Sequence, residues 1–196
     1  MKPITDAREL FRHQRQVRAF SDRPIDDETL REVLQAAVHG PSGSNTMPWR
    51  FIVVRDPEVK ARLDTAYEAA FNEQYGGNPP PRGGDREPLT KVPVLIIPCV
   101  RTPRGGRAGF QTGASVYPSV QNLLLAARAL GLGSGITTLH RIKLAEVHEV
   151  LGIPDGWDSA AIVLLGWPDR AYGPNKRPPL EDFITYDRWT DPPKRS

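Results

Sequence analysis

What most limits the folds open to this chain is the order in which its apolar patterns change period. Stretches with apolar residues three and four apart, the mark of a helix buried on one face, precede and separate a few short continuous apolar runs, which read as strands. Leu30, Val33, Leu34, Ala37 and Val38 keep the helical spacing behind Asp26, and Asp27 and Glu28 suit a first turn. Gly40-Pro41 stops that helix, and RFIVV, 50–54, is a strand. Asp56-Pro57 is an N-cap with proline at the first helical position, opening a helix with Val59, Leu63, Ala66 and Ala70 on one stripe. VPVLIIPCV, 92–100, is a further strand, whose two prolines suggest an edge or irregular pairing. The longest helix runs over roughly 113–130 and carries Val116, Val120, Leu123, Leu124 and Ala127. GSGITTL, 133–139, is a glycine-rich turn into a short strand. A helix over about 143–151 and the strand SAAIVLLGW, 159–167, complete the core, and a short first helix capped by Thr5 or Asp6 ends near His13. With no strict strand–helix–strand repeat, the pattern favours α+β, a central sheet flanked by helices.

Size and charge narrow the function. At 196 residues the length suits one domain, residues 1–196, ending in a proline-rich tail from Pro168. Apolar residues make up 39% and charged residues 25%, which is a globular and not a disordered profile. A net charge of +3, with acids interspersed among bases, gives no nucleic-acid footprint. The densest basic stretch, Arg101 to Arg107, lacks interleaved aromatics and reads first as a solvated loop. The single cysteine, Cys99, sits in an apolar run and suits packing better than nucleophilic chemistry. The N-terminus has no apolar h-region and no stretch approaches 18 apolar residues, so the expectation is a cytoplasmic chain with no membrane partner. His13, His39, His140 and His148 have no cysteine or carboxylate at ligand spacing, so no metal is expected.

Several motifs remain. GLGSG, 131–135, mimics a dinucleotide fingerprint but follows a helix and opens a strand, the reverse of what that fingerprint needs. Gly131 and Gly133 suit a helix C-cap instead. Arg15 and Arg18 stand three apart at a helix end, where paired guanidiniums suit a phosphate or an anionic ring as well as plain solvent. NKRPP, 175–179, is a second small basic cluster with no regular structure. PSGSN, 41–45, puts short polar side chains on a loop before Pro48-Trp49, with Trp49 anchoring it. It reads equally as a ligand loop and as a connection held by serine and asparagine turns. Residues 76–88 are too rich in proline and glycine for regular structure, and such loops are usually lids, binding loops or disordered segments.

Taken in order, RQVRAF, PSGSNTMPWRFIVV, YPSVQNLLLAARALGLGSGITTL, LGIP, IVLLGWP and the basic tail resemble the FMN-dependent nitroreductase family over about residues 8–190. The resemblance implies a mostly antiparallel sheet and a homodimer whose C-terminal extension, 171–196, reaches the partner subunit. It implies FMN as cofactor and NADH or NADPH as electron donor. The reaction implied is ping-pong reduction of nitroaromatics, quinones or similar flat acceptors, with hydride passing through flavin N5 and no catalytic side chain. Arg15, Gln16 and Arg18 would reach the phosphate, ribityl chain and pyrimidine edge. Many relatives carry Arg-Arg-Ser where this chain has Gln14-Arg15-Gln16, which leaves the phosphate more dependent on Arg15 and the tail. Pro41, Ser42 and Asn45 would lie against the ring from the other subunit, and Met47 replaces a frequent glutamine. Gly135, Ile136, Thr137 and Thr138 would form the backbone strip along the ring, and Lys176 and Arg177 would close over the phosphate. The same fold also hosts flavin destruction, reductive dehalogenation and flavin binding without turnover.

Overall fold

A computed structural model describes residues 1–77, 87–102 and 109–191. Most of the proline-rich 76–88 loop and the Arg104 and Arg107 of the basic stretch lie outside the described residues. The helices are α1 (Ala7–His13), α2 (Asp27–Val38), α3 (Pro57–Tyr75), α4 (Phe110–Ala129) and α5 (Leu144–Leu151). The strands are β1 (Trp49–Val54), β2 (Val94–Arg101), β3 (Gly133–Thr137), β4 (Trp157–Ser159) and β5 (Ile162–Gly166). They form one sheet in the order β1-β2-β5-β3, with β4 also on β2, and every pairing is antiparallel.

Period-two alternation splits the core between the sheet's two faces. Val94, Ile96, Val100, Val163 and Leu165 pack with Leu30, Val33 and Ala37 of α2 and Val116, Val120, Leu123 and Ala127 of α4. Leu95, Ile97, Cys99, Ile162 and Leu164 pack with Leu63 and Ala66 of α3 and Val147 of α5. Helices therefore cover both faces, as the alternating periodicities require. The caps fall where their chemistry puts them: Asp6, Asp26 and Asp56 accept backbone N–H groups in the first turns of α1, α2 and α3. Cys99 is buried beside Asp158, and burial first, then that carboxylate, pushes its thiol up to about 12, so it packs and does not react.

The differences from expectation have local causes. The proline-bearing β2 is an interior strand, not an edge. Pro98 sits where β2 changes partner from β5 to β4, and its carbonyl accepts from Ala160 N–H. In a strand, N and C=O of one residue face the same side, so the missing donor faces the break between β4 and β5, where no ladder needs it. That break also divides SAAIVLLGW into two strands. Gly131, at φ +88°, ends α4 as foreseen, but Gly133 is a strand residue because Val17 packs where its Cβ would be. The glycine-rich segment is thus strand and not turn. Strand β1 begins one residue early, at Trp49, which is buried as foreseen. The helix α4 starts at Phe110 and carries Pro118 within it, withholding the donor from the Ala114 carbonyl. Val38, expected on the buried face of α2, is 41% exposed.

Candidate functional site

The outer strand β3 pairs with β5 on one side only, and alternate residues send their backbone groups to its free edge. The Ser134 carbonyl accepts from Val17 N–H at 2.8 Å, and Ile136 N–H donates to Gln16 Oε1 at 2.7 Å. Residues 16 and 17 therefore lie along this edge, where Gln16 forms a parallel bridge with Ser134. The glycines make room for them. A Cβ on Gly135 would sit 2.7 Å from the Val17 carbonyl oxygen, and one on Gly133 would sit 2.7 Å from Val17 Cγ1. Thr137 is tied to α3, its hydroxyl 3.0 Å from that of Tyr67 and accepting Leu139 N–H at 3.3 Å. Thr138 is exposed.

The tail returns to the same place. Asn175 N–H donates to the Arg12 carbonyl at 2.8 Å, and its carboxamide donates to the carbonyls of Gln14 at 3.0 Å and Phe11 at 3.3 Å. These are the orphan carbonyls at the end of α1, so one asparagine caps the helix and docks the tail. Arg15 reaches back to the Gly173 carbonyl at 3.4 Å and stands 5.6 Å over the Tyr172 ring. Lys176 and Arg177 follow Asn175 and are exposed, as are Arg15 and Arg18. Among the described residues none of these four cations forms an ion pair.

Of the sequence-predicted residues, the structure thus gathers Arg15, Gln16, Gly135, Ile136, Thr137 and Thr138, with Lys176 and Arg177 on the segment docked at α1 and Arg18 one residue past the Val17 contact. It does not gather Pro41, Ser42 and Asn45 with them. That loop leads into β1, the opposite outer strand, about 14 Å away across three strand spacings. It is held by Ser42 Oγ, which accepts Met47 N–H at 2.9 Å, and by Ser115 Oγ of α4, which accepts Gly43 N–H at 3.1 Å. Ser44, Asn45 and Met47 all take left-handed backbone, with φ of 50°, 53° and 45°. Three such non-glycine residues within four positions cost on the order of 1–3 kcal/mol each, a concentration of strain typical of ligand sites.

Sequence reading missed Asn175, Tyr67 and Ser115, whose roles rest on partners far along the chain. It also missed a buried polar cluster: Ser159 Oγ lies 3.1 Å from His140 Nε2 and 3.2 Å from His148 Nε2, while Asp158 pairs with Arg141 at 3.2 Å. Burial, its largest cause, lowers the pKa of His140 to about 4. Ser159 and His140 are fully buried, so this constellation is not a nucleophile site. Among the described residues no group of metal-ligating side chains is found, and no helix is long and apolar enough to cross a membrane.

These features fit a flat, phosphate-bearing cofactor: a strand edge to which Gln16 and Val17 fix the Arg15–Arg18 segment, and exposed cations at one end. Helices covering both faces of an antiparallel sheet make this an α+β fold. The nitroreductase family model matches residues 12–167, and the chain belongs to that family. An NADH dehydrogenase of Thermus thermophilus is 30% identical over 205 residues, covering 94% of this chain and 97% of that one. A nitrobenzene nitroreductase of Ectopseudomonas oleovorans is 25% identical over 217 residues, covering 91% and 95%. Among solved structures, an iodotyrosine deiodinase bound to FMN and 3-iodo-L-tyrosine superposes with a TM-score of 0.78 at 26% identity, covering 93% of this chain and 99% of that one.

Proposed function

We propose that the protein is an FMN-dependent oxidoreductase, working as a homodimer, that draws hydride from NADH or NADPH and reduces flat acceptors such as nitroaromatics and quinones in a ping-pong cycle. The observation that carries this reading is the meeting of the Arg15–Arg18 segment, the β3 edge and the tail cations in one place. Arg15, Lys176 and Arg177 hold the phosphate, whose charge of about −2 calls for more than one cation. Gln16 and Arg18 take the pyrimidine edge and ribityl chain, and Arg18 offers positive charge where the ring gathers negative charge on reduction. Gly135 to Thr138 lie along the ring, Gly135 letting the Gln16–Val17 segment sit close against the strand. Bound FMN supplies the two-electron chemistry, so the protein needs only to bind, orient and exclude water.

A second copy completes the site. The loop bearing Pro41, Ser42 and Asn45 is on the wrong edge to serve the pocket of its own chain, and its strained backbone is rigidly held for another. Apolar surface supports the pairing: Phe110 is 95% exposed beside a cleft of about 620 Å³ lined by Gly113, Tyr117, Pro118 and Ala160. Phe183, Tyr186 and Trp189 of the tail are exposed as well. A second reading, reductive dehalogenation, is favoured by the likeness to the iodotyrosine deiodinase.

One preparation tests the set. The protein, chromatographed with flavin absorbance and light scattering monitored together, is expected to carry FMN in a peak of dimer mass. Anaerobic NADPH or NADH should bleach it, and nitrobenzene or a quinone should restore the colour. Recovery with 3-iodo-L-tyrosine alone would favour dehalogenation. Colourless protein that takes up no FMN, or FMN held by a monomer, would overturn the cofactor or the dimer respectively.

A further inference from the structure

The Gln16 side chain crosses from the segment after α1 to β3. Its Oε1 accepts the Ile136 N–H at 2.7 Å across 120 residues of sequence, at the free edge of β3. A donor on the backbone fixes which end of the carboxamide faces it, because the flipped form would set two donors head to head. The planar amide then has one end committed, and its Nε2, carrying two protons, has no acceptor among the described residues on this solvent-exposed side chain. The rest of the segment cannot drift: Val17 is 1% exposed, and its N–H is bound to Ser134.

We propose that Gln16 is a positioning residue that uses both ends of its carboxamide, Oε1 clamping the Ile136 N–H and Nε2 being thereby presented as a donor to the polar edge of the flavin ring. This rests on the FMN reading above and adds a cause for it. The clamp removes Ile136 N–H from competition for the ring and leaves the outward-facing Thr138 end of the strip available. It also couples two segments that approach the cofactor from different parts of the chain, so the ring meets a donor and a strip in fixed register. The ligand contacted is the ring system, not the phosphate, so FMN and riboflavin should feel Gln16 alike.

The test uses Gln16→Ala and Gln16→Glu in the full chain, the latter keeping an acceptor for Ile136 N–H while losing the donor. Amide hydrogen exchange of the flavin-free protein reads the clamp: Ile136 should exchange about 10-fold faster in Gln16→Ala and stay protected in Gln16→Glu. Flavin titration reads the donor: both variants should weaken FMN and riboflavin by about 3- to 10-fold, equally for the two ligands. The absorption band of the flavin that still binds should shift in both. Unchanged Ile136 exchange in Gln16→Ala would overturn the clamp, and wild-type flavin affinity in Gln16→Glu would overturn the donor. A wild-type protein with Ile136 protected but no flavin uptake would refute the FMN reading itself and take the donor role with it. A merely structural residue would lower the melting temperature and leave the band of bound flavin in place.

Discussion

Adding one methyl group at Gly135 tests whether the β3 edge is as tightly occupied as the structure indicates. Gly135 has ordinary backbone, so alanine meets no conformational penalty, and the cost must come from contact alone. The new Cβ would lie 2.7 Å from the Val17 carbonyl oxygen, 3.1 Å from Gln16 Oε1 and 3.3 Å from Leu164 Cδ1. An ordinary contact begins near 3.4 Å, so the carbonyl must retreat by about 0.7 Å. It is backbone, held by Val17 N–H on Ser134 at 2.8 Å and by a side chain 1% exposed, so it cannot swing aside as a side-chain tip would. Overpacking of this kind costs about 1–3 kcal/mol. At about 2–4 °C per kcal/mol for a chain of this size, Gly135→Ala should melt roughly 2–12 °C lower by scanning calorimetry. Gly173→Ala is the control. It has open space around it and no left-handed backbone, so it should melt at or slightly above the wild type by restricting the unfolded chain. FMN affinity should fall in Gly135→Ala, since the displaced segment carries Arg15, Gln16 and Arg18. A Gly135→Ala protein with wild-type melting, or a Gly173→Ala protein losing as much, would refute the close packing of this edge.

Arg177→Ala, read by flavin titration, should raise the FMN dissociation constant about 10- to 150-fold, the value of a hydrogen bond to a charged group, and change riboflavin affinity far less. Equal losses for both ligands would assign the tail to folding or assembly, and Arg62→Ala, on the exposed side of α3, should change neither. His140 makes the fold sensitive to acid. Its pKa is about 4 when folded and 6.5 as its ordinary value, so the unfolded chain binds the proton first, and stability present above pH 6.5 is lost as pH falls towards 4. The loss from His140 between pH 7 and pH 5 is about 2 kcal/mol, measurable by urea unfolding, and His140→Leu should remove it.

How much of this was legible in the sequence depends on the range over which each feature is determined. Asp26 and Asp56-Pro57 announce their helices because a cap is decided within four residues, and the stripe Leu63, Ala66, Ala70 announces its buried face by local spacing. The prolines of 92–100 misled because Pro93 falls just before β2, and a proline is excluded from a central strand only where a ladder demands its N–H; Pro98 falls where β4 gives way to β5. Gly133 misled because glycine after a helix is commonly a cap, whereas here a distant Val17 requires it. Within the candidate site, the residue types of 15–18, 135–138 and 175–177 were visible, but not what unites them. The bonds from Gln16 to Ile136 and from Asn175 to α1 span 120 to 164 residues, and no periodicity encodes such a pairing. The bonds of the His140–Ser159–His148 cluster span only 19 and 11 residues, but they join three separate elements, which no local spacing announces.

The separation of PSGSN and the β3 edge onto opposite sides of one sheet has a genetic consequence on the proposed pairing. Every pocket is then the product of two copies, one lending the strand edge and the other the loop. A chain with a damaged loop and a chain with a damaged edge, each inactive alone, would make a mixed pair in which both faults fall in one pocket and the other is whole. Two defective alleles could rescue one another, and two faults in the same half could not.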